Sequence, residues 1–198
     1  MVASGIGPKG QRQGAMVRAA LSYAGRGVPV FPCEPFGKRP LTHNGLWEAT
    51  TDERRIRAWW GRWPKANIGV PTGRGSGLLV LDVDAGDGLE SLAELELSRG
   101  QPPKTVRVRT GGGGEHVYFR YSKDVEVRNS QGYLGPGLDI RAEGGYVVVP
   151  PSRTTGPYEW VDRSRPADAS WLLGCLEERT RRGRPCSKLR LRERAWRT

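Results

Sequence analysis

An α+β fold is what the order of apolar patterns along this chain predicts, and three observations carry the prediction. Helical spacing appears near the N-terminus and again ahead of Pro64. An unbroken apolar run follows at residues 78–81, suited to a buried strand. The remainder is mostly a succession of short strand signals separated by glycine. Helices and strands do not alternate regularly, which argues against a doubly wound parallel sheet.

Taken in order, residues 15–24 place Met16, Ala19, Ala20, Tyr23 and Ala24 at helical spacing, and Gly25 and Gly27 end that helix. Residues 28–31 read as a short strand, followed by a Pro-rich loop with Lys38, Arg39 and Pro40. The second helix has the clearest start signal. Thr50 with Glu53 fits a capping box, and Asp52 and Glu53 suit the positive helix end. Ile56, Trp59, Trp60 and Trp63 then recur at i, i+3, i+4 and i+7, and Pro64 stops the helix. Such a stripe can stack nucleobases, but a core-facing stripe is the simpler expectation. Strands are expected at 67–70, 77–83, 105–109, 115–121, 138–141 and 145–149. Leu89, Leu92 and Ala93 mark a helix ending before Gly100, and Trp171, Leu172, Cys175 and Leu176 mark a last one.

Hydrophobic residues are only 36% of the 198, but seven Trp, six Tyr and three Phe supply enough bulk for a core. The expected organisation is a flexible N-terminus over 1–14, one folded domain over 15–178 and a basic, flexible tail over 179–198. That tail holds nine basic side chains and one acid, so it carries +8 of the net +11. Arg181, Arg182, Arg184, Lys188 and Arg190 are its candidate DNA contacts, since such a segment neutralises phosphates. A solvated end with no specific partner has the same composition. Cys33, Cys175 and Cys186 form no CxxC pair, so neither a zinc site nor a disulfide framework is expected. With no leader and no membrane-length apolar run, the expected place is the cytoplasm, away from any membrane.

Three segments carry chemistry. In the first, the strand at 77–83 delivers Asp82 and then Asp84. Residues two apart on a strand project to one face, so the two carboxylates point the same way. Held together, they repel unless a cation neutralises them, and divalent metals that do so serve phosphoryl transfer. In the second, Thr110 and four glycines, including Gly113 and Gly114, precede His116, Tyr118 and Arg120 on one strand face. Free glycine N–H groups can turn toward an anion, although for the segment taken alone a flexible hairpin with a half-buried histidine is the simpler expectation. In the third, Asp139 and Arg141 share a strand face, and Gly144 and Gly145 are expected to make a tight hairpin into an apolar strand closed by Pro150 and Pro151.

In this order the segments resemble the bifunctional primase-polymerase domain of the archaeo-eukaryotic primase superfamily, from about residue 19 to residue 160. The likeness includes Gly37, Lys38, Arg39 and Pro40, the Trp59–Trp60 helix, residues 66–73 and the Tyr158-Glu-Trp160 end. It implies an RRM-like mixed or antiparallel sheet with packed helices, and a catalytic domain over 15–178. It further implies a two-metal site in which Asp82, Asp84 and Asp139 hold Mg2+ or Mn2+. His116 would be catalytic and contact the phosphates of a nucleoside triphosphate, with Gly113, Gly114, Lys38 and Arg141 as further nucleotide contacts. The implied partners are a single-stranded DNA template, nucleoside triphosphates and a separate replicative helicase. One position departs from the family pattern: Gly114 stands where a small hydroxyl residue usually precedes the histidine by two.

The expected activity is therefore nucleotidyl transfer to a 3′-hydroxyl on a DNA template. One alternative is a glycosyltransferase using a DxD pair with manganese and a nucleotide sugar, which has no use for Asp139. Another is a catalytically inactive domain that only binds nucleic acid.

Overall fold

The computed structural model describes residues 14–122, 125–181 and 189–191. Its helices are α1 (Ala15–Ala24), α2 (Glu53–Arg62), α3 (Asp87–Arg99) and α4 (Ser170–Arg181). Its strands are β1 (Phe31–Cys33), β2 (Asn67–Pro71), β3 (Leu78–Val83), β4 (Arg107–Arg109), β5 (Glu115–Arg120), β6 (Val125–Val127), β7 (Leu138–Arg141), β8 (Tyr146–Val149), β9 (Glu159–Asp162) and β10 (Leu189–Leu191). The class is α+β, as the sequence predicts.

A five-stranded sheet runs in the order β7-β3-β5-β4-β9, and a three-stranded sheet in the order β1-β2-β8. Every neighbouring pair in both is antiparallel. Alternation along β3 shows how the layers form. Leu79, Leu81 and Val83 enter one core with α3 and α4 residues such as Leu92, Leu172 and Leu176. Leu78 and Val80 face the other core, shared with α1, α2 and the three-stranded sheet. Asp82 has the parity of Val80, so it faces the three-stranded side.

The tryptophan stripe of α2 is core-facing. Ile56 and Trp60 are buried, Trp59 and Trp63 pack partly against the same cluster, and Trp60 Nε1 donates to the Ala66 carbonyl at 3.1 Å. The cap differs from the expected box. Asp52, not Thr50, is the N-cap, accepting from the Arg55 amide at 2.8 Å, while Thr50 Oγ1 accepts from the Asp52 amide. A carboxylate at the helix start satisfies an orphan N–H and meets the positive dipole end, so it supplants the hydroxyl.

Two other expectations change. Gly144 and Gly145 do not join two paired strands: β7 belongs to the five-stranded sheet, whereas β8 pairs with β2. The turn carries the chain from one sheet to the other, with Gly144 at φ 80° and the Gly145 amide donating to the Ala142 carbonyl. A Cβ on Gly145 would lie 2.3 Å from Asn129 Oδ1, so only glycine admits the Asn129 side chain there. The segment expected to be a flexible tail from 179 begins inside α4, whose last turn holds Arg179 and Arg181 at the negative helix end. Further on, Leu189–Leu191 pairs with β6. Arg182, Arg184 and Lys188 lie outside the described residues. No helix among those described is long and apolar enough to cross a membrane.

Candidate active site

Three antiparallel strands bring the predicted residues into register. On β3, Asp82 lies directly opposite Asp139 of β7 on one side and His116 of β5 on the other. Directly opposite residues share a face, so the row Asp139–Asp82–His116 crosses the sheet on its three-stranded side.

Arg141 binds this row together. Its Nη2 donates to Asp82 Oδ2 and to Asp139 Oδ2, both at 3.0 Å, and its Nε donates to Asp82 Oδ2 at 3.1 Å. The other oxygen of Asp82 lies 3.3 Å from His116 Nε2, and the other oxygen of Asp139 accepts from the Gly132 amide at 3.0 Å. Tyr118 sets the imidazole from behind, with its hydroxyl 3.3 Å from His116 Nδ1. Burial on its own would raise the Asp82 carboxyl. The hydrogen bond and charge of His116, then those of Arg141, outweigh it and hold the pKa at about 2.

Asp84 is placed differently. It stands just past the end of β3, exposed, with its amide donating to the Gly137 carbonyl at 2.9 Å. Among the described residues its carboxylate makes no hydrogen bond or ion pair. Its pKa is raised, by burial first and then by the charges of Asp82 and Asp139, with Lys38 and Arg141 opposing. The three acids are therefore close enough to press on one another, but Asp84 stands outside the hydrogen-bonded row.

The row opens into a cleft of about 220 Å3 between the two sheets. Lys38, Asp82, His116 and Arg141 line it, together with Asn129, Gly144, Gly145, Tyr146 and Tyr158. A mixed wall of cations, imidazole and aromatic rings suits an anionic, partly planar ligand. Sequence reasoning passed over Asn129 and Tyr146, which carry no local signal, and took Gly144 and Gly145 only as a turn.

Gly113 and Gly114 do not line this cleft. They close the β4–β5 hairpin, where the Gly113 amide donates to the Thr110 carbonyl and the Thr110 amide to the Gly114 carbonyl. A Cβ on Gly114 would lie 2.1 Å from the Val83 carbonyl oxygen, so the hairpin is pressed onto the end of β3 beside Asp84. Of the candidate DNA contacts, Arg181 is exposed at the end of α4, and Arg190 is placed by its backbone on β10.

The donor set fits a hard divalent cation in kind. It consists of carboxylate oxygens whose mutual repulsion contributes to the raised pKa of Asp84, which alone of the three acids has no hydrogen-bonding partner among the described residues. It is not a finished cage. Arg141 occupies Asp82 and Asp139, and among the described residues no three His, Cys, Asp or Glu side chains are gathered to hold a metal.

Fold and cleft together define an α+β domain with an acid–histidine row on an antiparallel sheet, open to an anionic ligand. Residues 20–171 match the protein family described as bifunctional DNA primase/polymerase, N-terminal. The match covers more than three quarters of the chain, and the chain belongs to this family. None of the curated proteins compared with the chain matches it.

Proposed function

We propose that this protein is a DNA primase/polymerase: the 3′-hydroxyl of a strand growing on a single-stranded DNA template attacks the α-phosphorus of a nucleoside triphosphate, and pyrophosphate leaves. The observation that carries this reading is the Asp139–Asp82–His116 row, bound by Arg141 and opening into one cleft, in a chain of the primase/polymerase family. Asp84 with Asp82, and Asp139 when Arg141 releases it, would hold Mg2+ or Mn2+. Such ions stabilise negative charge on the reacting phosphate oxygens and lower the pKa of an attacking hydroxyl.

The protein's own groups divide the remaining work. Lys38 and Arg141 attract and orient the triphosphate, being the cations that line the cleft. His116 donates to a phosphate oxygen through Nε2 once the Asp82 carboxylate, now 3.3 Å away, lets it go, the ring staying held at Nδ1 by the Tyr118 hydroxyl. Tyr146 and Tyr158 supply aromatic wall against which the nucleotide's planar part can rest. A glycosyltransferase reading leaves Asp139 unemployed, whereas here it faces Asp82 directly.

The test is incubation with single-stranded DNA, labelled nucleotides and Mg2+ or Mn2+, with and without a primer. Metal-dependent incorporation that vanishes in Asp84→Ala supports the reading. Undiminished DNA binding with no incorporation under any of these conditions overturns it in favour of a binding domain.

A further inference from the structure

A second cavity, of about 420 Å3, opens between the sheets at the other end of β3, near Leu78. Its walls are apolar and aromatic, from Tyr23, Tyr118, Trp160, Val70 and Val149. Its rim carries Arg26, Arg163 and Arg165, all exposed. Among the described residues none of these three makes an ion pair. The Arg26 guanidinium donates to the Ser22 hydroxyl and lies over the Tyr23 ring, 5.2 Å from its centroid. An apolar pocket rimmed by unpaired guanidinium groups selects a ligand with a planar apolar body and an anionic end.

The chain's own N-terminal segment is a poor occupant by charge, since residues 1–13 contain Lys9 and Arg12 and no acid. We infer that the pocket is a second nucleotide site, separate from the catalytic cleft, taking a nucleobase against Tyr23, Tyr118 and Trp160 and its phosphate on Arg26, Arg163 and Arg165. Aromatic faces stack any base, and guanidinium groups bind phosphate bidentately. The occupant would sit one side chain from the catalytic row, because the Tyr118 ring forms a wall of the pocket while its hydroxyl meets His116. The same chemistry is presented by a free nucleotide and by one residue of a single strand.

Photolabelling with 8-azido-dAMP, mapped by mass spectrometry, tests this without any catalytic turnover. Label is expected on Tyr23, Tyr118 or Trp160, and deoxyadenosine, lacking the phosphate, should compete about tenfold less well than dAMP. The Arg163→Gln/Arg165→Gln double variant, altered only at exposed side chains, should lose that label by a similar factor while keeping label at Tyr146. Asp84→Ala should keep both. Competition by a short oligodeoxythymidylate at lower concentration than dTMP assigns the site to a strand, and the reverse order assigns it to a free nucleotide. Label confined to the catalytic cleft, equal competition by deoxyadenosine, or an unaffected double variant overturns the inference. Failure of nucleotide incorporation leaves these readouts untouched, so the two readings fail separately.

Discussion

Asp82 and Asp139 face each other across neighbouring antiparallel strands and share one guanidinium, that of Arg141. Two ionised carboxylates facing each other repel, and the guanidinium between them offsets that repulsion. Arg141→Gln removes it and should destabilise the domain by roughly 2 kcal/mol at pH 7, below the usual cost of breaking a fully buried pair because Arg141 is partly exposed. The pH dependence has a definite sign. The folded pKa of Asp82, about 2, lies below the ordinary 3.8, so its contribution is present above pH 3.8 and lost as pH falls toward 2. The gap between wild type and variant should therefore narrow between pH 4 and 2. Urea midpoints across that range check it, and a constant gap would contradict the shared-cation account.

Asp84→Ala separates function from stability. The side chain is exposed and repelled by two neighbouring acids, so its loss should leave the melting temperature unchanged or slightly raised. Nucleotide incorporation should nonetheless fall by several orders of magnitude if the carboxylate holds the metal. Asp82→Ala should lose activity too, but with a lower melting temperature, because it strands His116 and Arg141. Paired melting and incorporation measurements distinguish the two variants.

His116→Ala should impair nucleotide use more than DNA binding. A charge-assisted hydrogen bond to a phosphate is worth on the order of 1.5–3 kcal/mol. The expected outcome is a raised nucleotide KM, a lowered kcat, or both, with the Kd for single-stranded DNA near wild type. Steady-state kinetics beside a DNA titration decide it.

Gly114→Ser restores the hydroxyl usual in the family, yet here it should do harm. Its Cβ would meet the Val83 carbonyl oxygen at 2.1 Å, so the hairpin must lift from β3 beside Asp84. Overpacking of this kind costs roughly 1–3 kcal/mol. A thermal melt should show the loss, and a variant as stable as wild type would mean the hairpin moves freely.

Replacing Arg182, Arg184, Lys188 and Arg190 with Gln should weaken DNA binding at low salt while sparing turnover at saturating DNA. Each contact with single-stranded DNA that is lost should flatten the log–log salt slope by about 0.7. An unchanged slope would show these residues to be bystanders.

The row itself was legible in the sequence because alternation fixes a strand's face. Asp82 shares parity with Val80, His116 with Tyr118, and Asp139 with Arg141, so each strand's site face could be read locally. Which strands would be neighbours could not. The departure of β8 to pair with β2 depends on packing between sheets and brings Tyr146 and Gly145 to the cleft, while Asn129 is held there by the Ala142 amide. The double engagement of Arg141 was equally hidden, since strand parity puts it beside Asp139 without revealing that β3 will supply a second carboxylate. At α2 the capping box puts the start on Thr50, two residues ahead of the Asp52 cap, because both are good caps and only the local backbone chooses.

Asp82 and His116 stand on β3 and β5, inner strands hydrogen-bonded on both edges. A site built on surface loops can detach while the rest of a domain stays intact, but these two residues have no such private route to disorder. Their amide deuterium exchange should follow opening of the whole sheet, and heat inactivation should track loss of the fold along a single curve.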